Sequence, residues 1–181
     1  HAATLDIAGA DALNPVFFNN AGGVLQALDG SLVTLSHASL SGGLLGSLGS
    51  GVIRLSTSAT AIGSLVNIGS VEILGSTTLL PGTLTNHGNL RLGAGGIGAS
   101  LSVKDHVVLD GTGTLALSNS AANEISSWGV GTGTLTQEAG HTLQGAGKVG
   151  RYGLNLINRG LIHANLPQPL VLAESGVAAQ L

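Results

Sequence analysis

Apolar and polar residues alternate in short runs along the chain. Examples are Val-Thr-Leu-Ser at 33–36, Val-Glu-Ile at 71–73 and Leu-Arg-Leu at 90–92. A period of two residues places Leu, Ile and Val on one face of an extended segment and Thr, Arg or Glu on the other. No segment sustains a helical period over a dozen residues without a glycine. The pattern therefore predicts an all-β protein built from short, half-buried strands.

The alternating runs belong to a repeat of about 20 residues. Its clearest form is Asn-x-Gly followed by an alternating strand, at 67–73, 86–92 and 158–164, and the second copy starts one repeat after the first. Looser copies and Gly-x-Gly variants are found at 111–115, 131–135, 137–143 and 145–149. Stacked copies share a core that no single copy can form, which predicts a parallel β-helix of about nine coils. An antiparallel sandwich or barrel of short strands is the alternative.

The Asn-x-Gly motif predicts how each coil turns a corner. Asn and Gly accept a positive φ at low steric cost, so we expect left-handed backbone at these positions. Replacing Gly88 or Gly160 with Val should then destabilise the fold by more than about 1 kcal/mol each, because β-branched residues tolerate positive φ poorly. Thr112→Ala, on an outer face, should have little effect.

Composition excludes two classes of protein. Mean hydropathy is +0.44 and only 8% of residues are charged, yet the longest low-charge stretch, 31–53, is broken by Ser, Thr, His and Gly, so no transmembrane helix is expected. Net charge is −3 with six Lys and Arg and no basic patch, which argues against nucleic-acid binding. Cysteine is absent and no targeting signal is visible. We interpret residues 1–181 as a single β-helix segment, a fragment of a longer repetitive surface protein.

Two segments carry a resemblance to a known family: Gly-Thr-Leu-Thr-Asn-His-Gly-Asn-Leu-Arg-Leu at 82–92 and Leu-Ile-Asn-Arg-Gly-Leu-Ile at 156–162. The unit resembles the coil of filamentous-haemagglutinin-like exoproteins of bacterial two-partner secretion, and of autotransporter passengers, over about 65–172. The resemblance implies a right-handed β-helix, export through an outer-membrane transporter, and a role in attachment or biofilm. The family's amino-terminal secretion module carries Asn-Pro-Asn, which Asn-Pro-Val at 14–16 does not match.

Candidate catalytic groups are dispersed. The nine carboxylates are Asp6, Asp11, Asp29, Glu72, Asp105, Asp110, Glu124, Glu138 and Glu174. Asp6 and Asp11, and Asp105 and Asp110, are neighbours in sequence, and stacking of coils would bring Asp110 near Glu138. Polysaccharide-cleaving enzymes pair an acid with a second carboxylate and tune its pKa with its surroundings. Because the sequence shows no dense acidic cluster with adjacent Arg or Lys, we predict that the chain is not an enzyme and has no catalytic residues.

Histidine and threonine spacings suggest two further sites. His87 and His106 are separated by one predicted coil, so stacked imidazoles would lie close enough to share a metal. No third ligand follows that register, and we predict no metal and no cofactor. Thr-x-Thr pairs begin at 83, 112 and 132, as in the ranks of ice-binding solenoids, but the two steps between them are too unequal for one flat rank. We expect these threonines on wet outer faces of strands.

Aromatic residues are scarce. The chain has Phe17, Phe18, Trp128 and Tyr152. We expect the two phenylalanines to seal one end of the stack and Trp128 to occupy a core or cap position. The alternative for Trp128 is an exposed contact to sugar, because aromatic ring faces stack on apolar faces.

The predicted function is that of a structural or adhesive segment of a secreted bacterial surface protein that mediates attachment or biofilm aggregation. Expected partners are host or bacterial cell surfaces, glycans or matrix polysaccharide, and the secretion transporter in the outer membrane. Uncovered end coils expose strand edges, so self-association is also expected. A glycan-binding or polysaccharide-degrading β-helix domain is the alternative.

Overall fold

The computed structural model describes residues 2–56 and 60–172 and contains no helix within them. No helix in this part of the chain is therefore long and apolar enough to cross a membrane. Twenty-three strands of three to five residues form three parallel sheets within these ranges. The all-β parallel β-helix predicted from the repeat is confirmed, and the antiparallel alternative is wrong: strand pairs are parallel throughout the described residues, apart from an isolated bridge between Asp11 and Asn14.

Each coil contributes one strand to each sheet in turn. The first sheet contains β1 (Thr4–Ala8), β4 (Leu32–Ser36), β7 (Val52–Leu55), β10 (Ser70–Ile73), β13 (Asn89–Leu92), β16 (Thr114–Leu117), β19 (Thr142–Gln144) and β22 (Leu161–His163). The second contains β2 (Val16–Asn19), β5 (Ala38–Ser41), β8 (Thr60–Ile62), β11 (Ser76–Leu79), β14 (Ser100–Val103), β17 (Glu124–Ser127), β20 (Gly147–Arg151) and β23 (Leu170–Leu172). The third contains β3 (Val24–Ala27), β6 (Leu44–Ser47), β9 (Leu65–Asn67), β12 (Gly82–Asn86), β15 (His106–Asp110), β18 (Thr134–Gln137) and β21 (Asn155–Asn158).

The solenoid has about seven turns, not the nine predicted, because its coils differ in length. In the first sheet Ile53 pairs with Val71, whereas Thr114 pairs with Thr142. The number of residues between register partners is more than half as large again in the second case. The longer coils carry corner loops at 93–99, 118–123 and 128–133. Loops of this kind lie outside the stacked strands, so they lengthen a coil without disturbing its core.

The core consists of apolar columns that run along the solenoid axis. In the first sheet one column is formed by Val33, Ile53, Val71, Leu90, Leu115 and Leu143, all at most 3% exposed. Each member is the register partner of the next, so the period-two pattern of one coil fits directly onto that of its neighbour. Burial of one such side chain stabilises the fold by about 1.5–3 kcal/mol. The stack is therefore the source of cohesion in a chain without disulfides.

The Asn-x-Gly corners do not use left-handed backbone, and the sequence-based reason for their glycines is wrong. Gly69, Gly88 and Gly160 all lie outside the positive-φ region. Instead, a Cβ on Gly88 would clash with the backbone carbonyl of Gly69, one coil away, and a Cβ on Gly160 would clash with that of His141. Glycine is required here because stacked corners approach each other too closely for any side chain.

The amino-terminal end of the stack leaves part of the core open. Leu5 occupies a core column as the register partner of Val33 but is 50% exposed. Phe18 packs against the core at this end, as predicted. Phe17 is 79% exposed, so its predicted sealing role is wrong: successive residues of β2 point to opposite faces, and Phe17 takes the outer one.

Candidate functional site

The aspartates near the amino terminus hold turns. Asp11 Oδ1 accepts hydrogen bonds from the backbone N–H groups of Leu13 and Asn14, at 2.8 and 2.9 Å, and from the Asn14 side chain. These bonds favour the ionised form and lower the pKa of Asp11. Asp29 accepts from the backbone and hydroxyl of Ser50 on the next coil, and its pKa is lowered for the same reason. Both carboxylates therefore stabilise local backbone.

Three glutamates lie beside arginines from neighbouring coils, which the sequence analysis did not anticipate. Glu72 is the register partner of both Arg54 and Arg91, with oxygen–nitrogen distances of 2.9 and 3.5 Å. The other two pairs, also between neighbouring coils, are Glu124 with Arg151 and Glu138 with Arg159, each at 2.5 Å. All of these partners are distant in sequence, so only the coil register brings them together. Such partly exposed pairs each contribute about 0–1 kcal/mol.

The fold brings Asp110 near Glu138, as expected, and separates Asp105 from Asp110. β15 and β18 pair Leu109 with Gln137, so Asp110 and Glu138 occupy the next positions of adjacent coils. Asp110 accepts a hydrogen bond from the Gly111 N–H at 2.7 Å, whereas Glu138 pairs with Arg159. Asp105 lies just before β15, at the opposite end of that strand from Asp110.

The two histidines predicted to stack do not lie together. His87 Nδ1 is 3.2 Å from Thr112 Oγ1, and His106 is the register partner of Thr134. The step from the coil of His87 to the next one is longer than the repeat predicts, because the loop at 93–99 lengthens the coil. Within the ranges that the structure describes, no three His, Asp or Glu side chains are grouped so that they could hold a metal ion.

The threonine pairs occupy different faces. Thr83 and Thr85 lie on the third sheet and are followed on the next coil by Val108 and Asp110. Thr114 starts a strand of the first sheet, and Thr134 starts one of the third. The threonines therefore form no common rank, in agreement with the irregular spacing.

A buried polar column with side chains from three coils spans four successive coils at the corner between the third and first sheets. Asn67 Nδ2 donates to Asn86 Oδ1 at 2.8 Å, and Asn86 Nδ2 lies 3.1 Å from His141 Nε2. All three side chains are fully buried. The coil between Asn86 and His141 has Gly113 at this point, where a Cβ would lie 2.7 Å from Asn86 Nδ2. Gly113 thus leaves the opening through which the two side chains meet.

His141 is held in its neutral form. Asn86 Oδ1 already accepts from Asn67 and from the Gly88 N–H, so Asn86 Nδ2 is the donor and His141 Nε2 the acceptor. The ring proton is therefore on Nδ1, which has no partner among the described residues. Burial lowers the pKa of His141 to about 4, against a smaller opposing effect of Asp110. Gln137 Nε2 closes this corner by donating to the His141 carbonyl at 2.8 Å.

The outer face of the third sheet carries an open groove of about 540 Å³ near the amino-terminal end. Val24, Leu44 and Val66, register partners on three successive coils, form its apolar floor. Its other lining residues are Gly, Ser, Thr and one Leu, so it contains no titratable group. The groove therefore has no side chain suited to acid–base chemistry.

Two exposed aromatic residues, Trp128 and Tyr152, follow paired strands of adjacent coils at the corner between the second and third sheets. We call the group formed by Lys104, Trp128, Val130, Arg151 and Tyr152 the aromatic corner. Trp128 is 60% exposed, which corrects its predicted core or cap position. The reason is local: Trp128 is the first residue after β17, where the chain leaves the stacked strands for the loop at 128–133.

Cations lie against both rings of the aromatic corner. Lys104 Nζ is 5.0 Å from the Trp128 ring centroid. The register pairs Val103 with Ser127, so the residues that follow them, Lys104 and Trp128, lie side by side on neighbouring coils. The Arg151 guanidinium carbon is 5.0 Å from the Tyr152 ring centroid. Both distances lie within the range of cation–π attraction. Each ring therefore lies beside a basic side chain, and Arg151 also pairs with Glu124.

Hydrogen bonds hold the two loops of the aromatic corner together. Gly131 N–H donates to the Tyr152 carbonyl at 2.8 Å, which ties the loop at 128–133 to the turn of the next coil. Ser127 Oγ accepts from the Gly133 N–H at 2.9 Å and donates to the Gly129 carbonyl, closing the loop from inside. Tyr152 adopts a φ of 54° in its tight turn. The backbone that carries Trp128 and Tyr152 is therefore fixed by hydrogen bonds within and between the two loops.

Comparison of the chain with protein-family models, with curated proteins and with solved structures finds no match. The resemblance to filamentous-haemagglutinin-like exoproteins therefore stays a prediction from the coil motif. The function has to be inferred from the fold and from the local geometry described above.

Proposed function

We propose that the chain is a structural and adhesive segment of a secreted bacterial surface protein. The observation that carries this proposal is the regular parallel stack of coils. Each coil adds one strand to each sheet in turn and is the register partner of its neighbours along the axis. Such a stack buries one continuous core and exposes a similar outer surface coil after coil. A unit of this kind suits a long rod.

The outer surface supports a role in contact rather than in chemistry. Outward positions include many Ser and Thr residues together with single exposed Leu, Val and Ile side chains, and the glutamates at 72, 124 and 138 are engaged by arginines. Repeated coils present similar surface many times, so weak contacts to a cell surface or matrix would add through multivalency. Attachment or biofilm aggregation is the activity that this surface fits best.

Secretion is part of the same proposal. The stack needs no disulfide, and each coil is stabilised mainly by its neighbours, so a chain exported unfolded would fold by adding coil to coil. We propose a location on the bacterial outer surface, with an outer-membrane transporter as the export partner and self-association through coil edges.

A glycan-binding domain is the second candidate, and the aromatic corner favours it. A polysaccharide-degrading domain has less support, although Asp110 and Glu138 lie on adjacent coils. A retaining or inverting glycosidase needs two carboxylates on either side of a bound sugar. Here Glu138 already pairs with Arg159, and the two carboxylates follow each other along one face.

Attachment of beads coated with the purified chain tests the proposal. The beads should adhere to bacterial cells or to biofilm matrix, and beads coated with Leu109→Asp, which places a charge in the core, should not. If the folded protein attaches to none of these surfaces, the adhesive role is contradicted. A reducing-end assay on a polysaccharide panel should show no turnover, and turnover abolished by Asp110→Asn or Glu138→Gln would favour the enzyme instead.

A further inference from the structure

We propose that the hydrogen bond from Asn86 Nδ2 to His141 Nε2 is an acid-sensitive joint, and that protonation of His141 opens the stack locally between the coils of β12 and β18. We call this bond the coil joint. It connects two coils that are not neighbours in the stack. The solenoid would then hold this region closed at neutral pH and loosen it in mild acid, independently of any adhesive function.

The first argument is the reach of the coil joint. Contacts in a solenoid normally connect each coil only to its two neighbours. Here the two side chains belong to the coils of β12 and β18, and the coil of β15 lies between them. They meet at Gly113, where a Cβ would lie 2.7 Å from Asn86 Nδ2. One hydrogen bond between buried side chains therefore holds three coils together at this corner.

The second argument is that the roles of donor and acceptor are fixed. Asn86 Oδ1 accepts from the Asn67 side chain and from the Gly88 N–H, so the amide cannot turn over without losing both bonds. Asn86 Nδ2 also donates to the Thr114 carbonyl at 3.2 Å. Asn86 can therefore only donate to His141, and only an unprotonated ring nitrogen can accept.

The third argument is the consequence of a proton on the ring. A hydrogen on His141 Nε2 would face the amide hydrogens of Asn86, so two fully buried donors would meet without an acceptor. The other ring nitrogen offers no compensation, because it has no partner among the described residues. Burial already lowers the pKa of His141 to about 4. Separation of the coils would give the charged ring access to water, so protonation favours the open form.

The ionisable groups on the corners stacked around the ring do not offset this cost. Asp110, one coil before His141, favours the charged ring, but its effect is smaller than that of burial. Glu138, on the same turn as the ring, already pairs with Arg159 of the next coil. His87, on the corner of the β12 coil, is exposed and is itself a base. None of these groups therefore replaces the acceptor that a protonated ring needs.

The opening should stay local because of the architecture. Each coil of a solenoid is stabilised by its own interactions and by those with its nearest neighbours. A cost placed at one corner is relieved by opening the coils that meet there, while distant coils keep their contacts. The loosened region should therefore include β15, β16, β18 and β19, and it should leave out β4, β5 and β6, which lie two or more coils away.

Hydrogen–deuterium exchange followed by mass spectrometry tests the proposal on the whole chain. Between pH 7 and about pH 4.5, after correction for the pH dependence of unstructured amides, peptides that cover β15–β16 and β18–β19 should exchange faster by roughly tenfold or more. Peptides that cover β4–β6 should keep their protection. A similar increase in all peptides, or no increase at β15–β19, would overturn the proposal.

Two histidine variants assign the effect. His141→Gln should abolish the local increase, because an amide side chain takes up no proton in this range. His87→Gln, which removes an exposed imidazole from the corner of the β12 coil, is the matched control and should keep the increase. If the increase persists in His141→Gln, another group causes the opening and the coil joint is not its origin.

Asn86→Asp tests the direction of the hydrogen bond, and it serves as the test if His141→Gln does not fold. The carboxylate of this variant keeps the acceptor role toward Asn67 and the Gly88 N–H, and it can also accept from a protonated imidazole. The acid-induced increase at β15–β19 should therefore disappear or reverse. An undiminished increase in this variant would show that the proton does not act at the coil joint.

Discussion

Two corners of the same solenoid direct their side chains oppositely, one into the stack and the other out to solvent. At the corner between the third and first sheets, Asn67, Asn86 and His141 point inward and bond each other across coils in full burial. At the corner between the second and third sheets, Trp128 and Tyr152 point outward on loops and stay exposed. Changes at the inner corner should therefore alter stability strongly, and changes at the outer corner should leave it almost unchanged.

The largest effect is expected at the glycines of the inner corner. Gly88→Val should destabilise the fold by about 4 kcal/mol, because its Cβ would overlap the backbone of Gly69, which cannot move without shifting a whole coil. Urea unfolding measures the change, and Thr112→Ala, on the exposed surface of the next coil, is the control with an expected effect below about 0.5 kcal/mol. Similar shifts for both variants would mean that the corners are not closely stacked.

The next effect is a loss of stability in mild acid through His141. Its pKa is lowered from 6.5 to about 4 in the fold, so between these values the unfolded chain binds a proton that the folded chain does not. Stability should fall as the pH drops through this window, by up to about 3 kcal/mol. Urea unfolding at pH 7 and at about pH 4.5 should show the difference.

A matched pair of variants assigns this pH dependence. His141→Gln should remove most of the slope between these pH values, whatever its effect on absolute stability, whereas His87→Gln, at an exposed corner, should leave the slope intact. Asp11 and Asp29 act only at lower pH, since their pKa values lie below 3.8. An unchanged slope in His141→Gln would show that the polar column does not exclude protons.

The smallest effect on stability is expected at the outer corner. Trp128→Ala should change the free energy of unfolding by less than about 0.5 kcal/mol, because the residue is 60% exposed and lies on a loop outside the stacked core. Thermal unfolding followed by circular dichroism measures it. A loss of more than about 2 kcal/mol would mean that the ring supports the fold, and the comparison between the two corners would fail.

The sequence predicted the features that all coils share, and it did not predict the contacts that depend on the length of an individual coil. Alternation and the Asn-x-Gly motif were sufficient for parallel stacking, because each coil repeats them. The coil number could not be derived, since loops such as 93–99 change the step without changing the motif. The Glu72–Arg54 pair, the Asn86–His141 contact and the actual partner of His87 all depend on that step.

Trp128 shows a different limit. Its hydrophobicity favours burial, but it is the first residue of the loop that follows β17 and so lies outside the stacked strands. Alternation predicts the direction of a side chain only inside a strand. Ser126 and Ser127 do not show where this strand ends, so the sequence does not predict the direction of Trp128.

The central claim, a parallel stack with an uneven step, is tested most directly by disulfide cross-linking in this cysteine-free chain. Ser76 and Ser100 are register partners whose hydroxyl oxygens are 3.0 Å apart, although a whole coil separates them in sequence. The double variant Ser76→Cys/Ser100→Cys should form an intramolecular disulfide readily on mild oxidation, because parallel neighbours satisfy its geometry. Ser76→Cys/Ser102→Cys, two positions out of register on the same face, should form it poorly. Equal cross-linking of the two variants, or preferential cross-linking of the second, would contradict the stack.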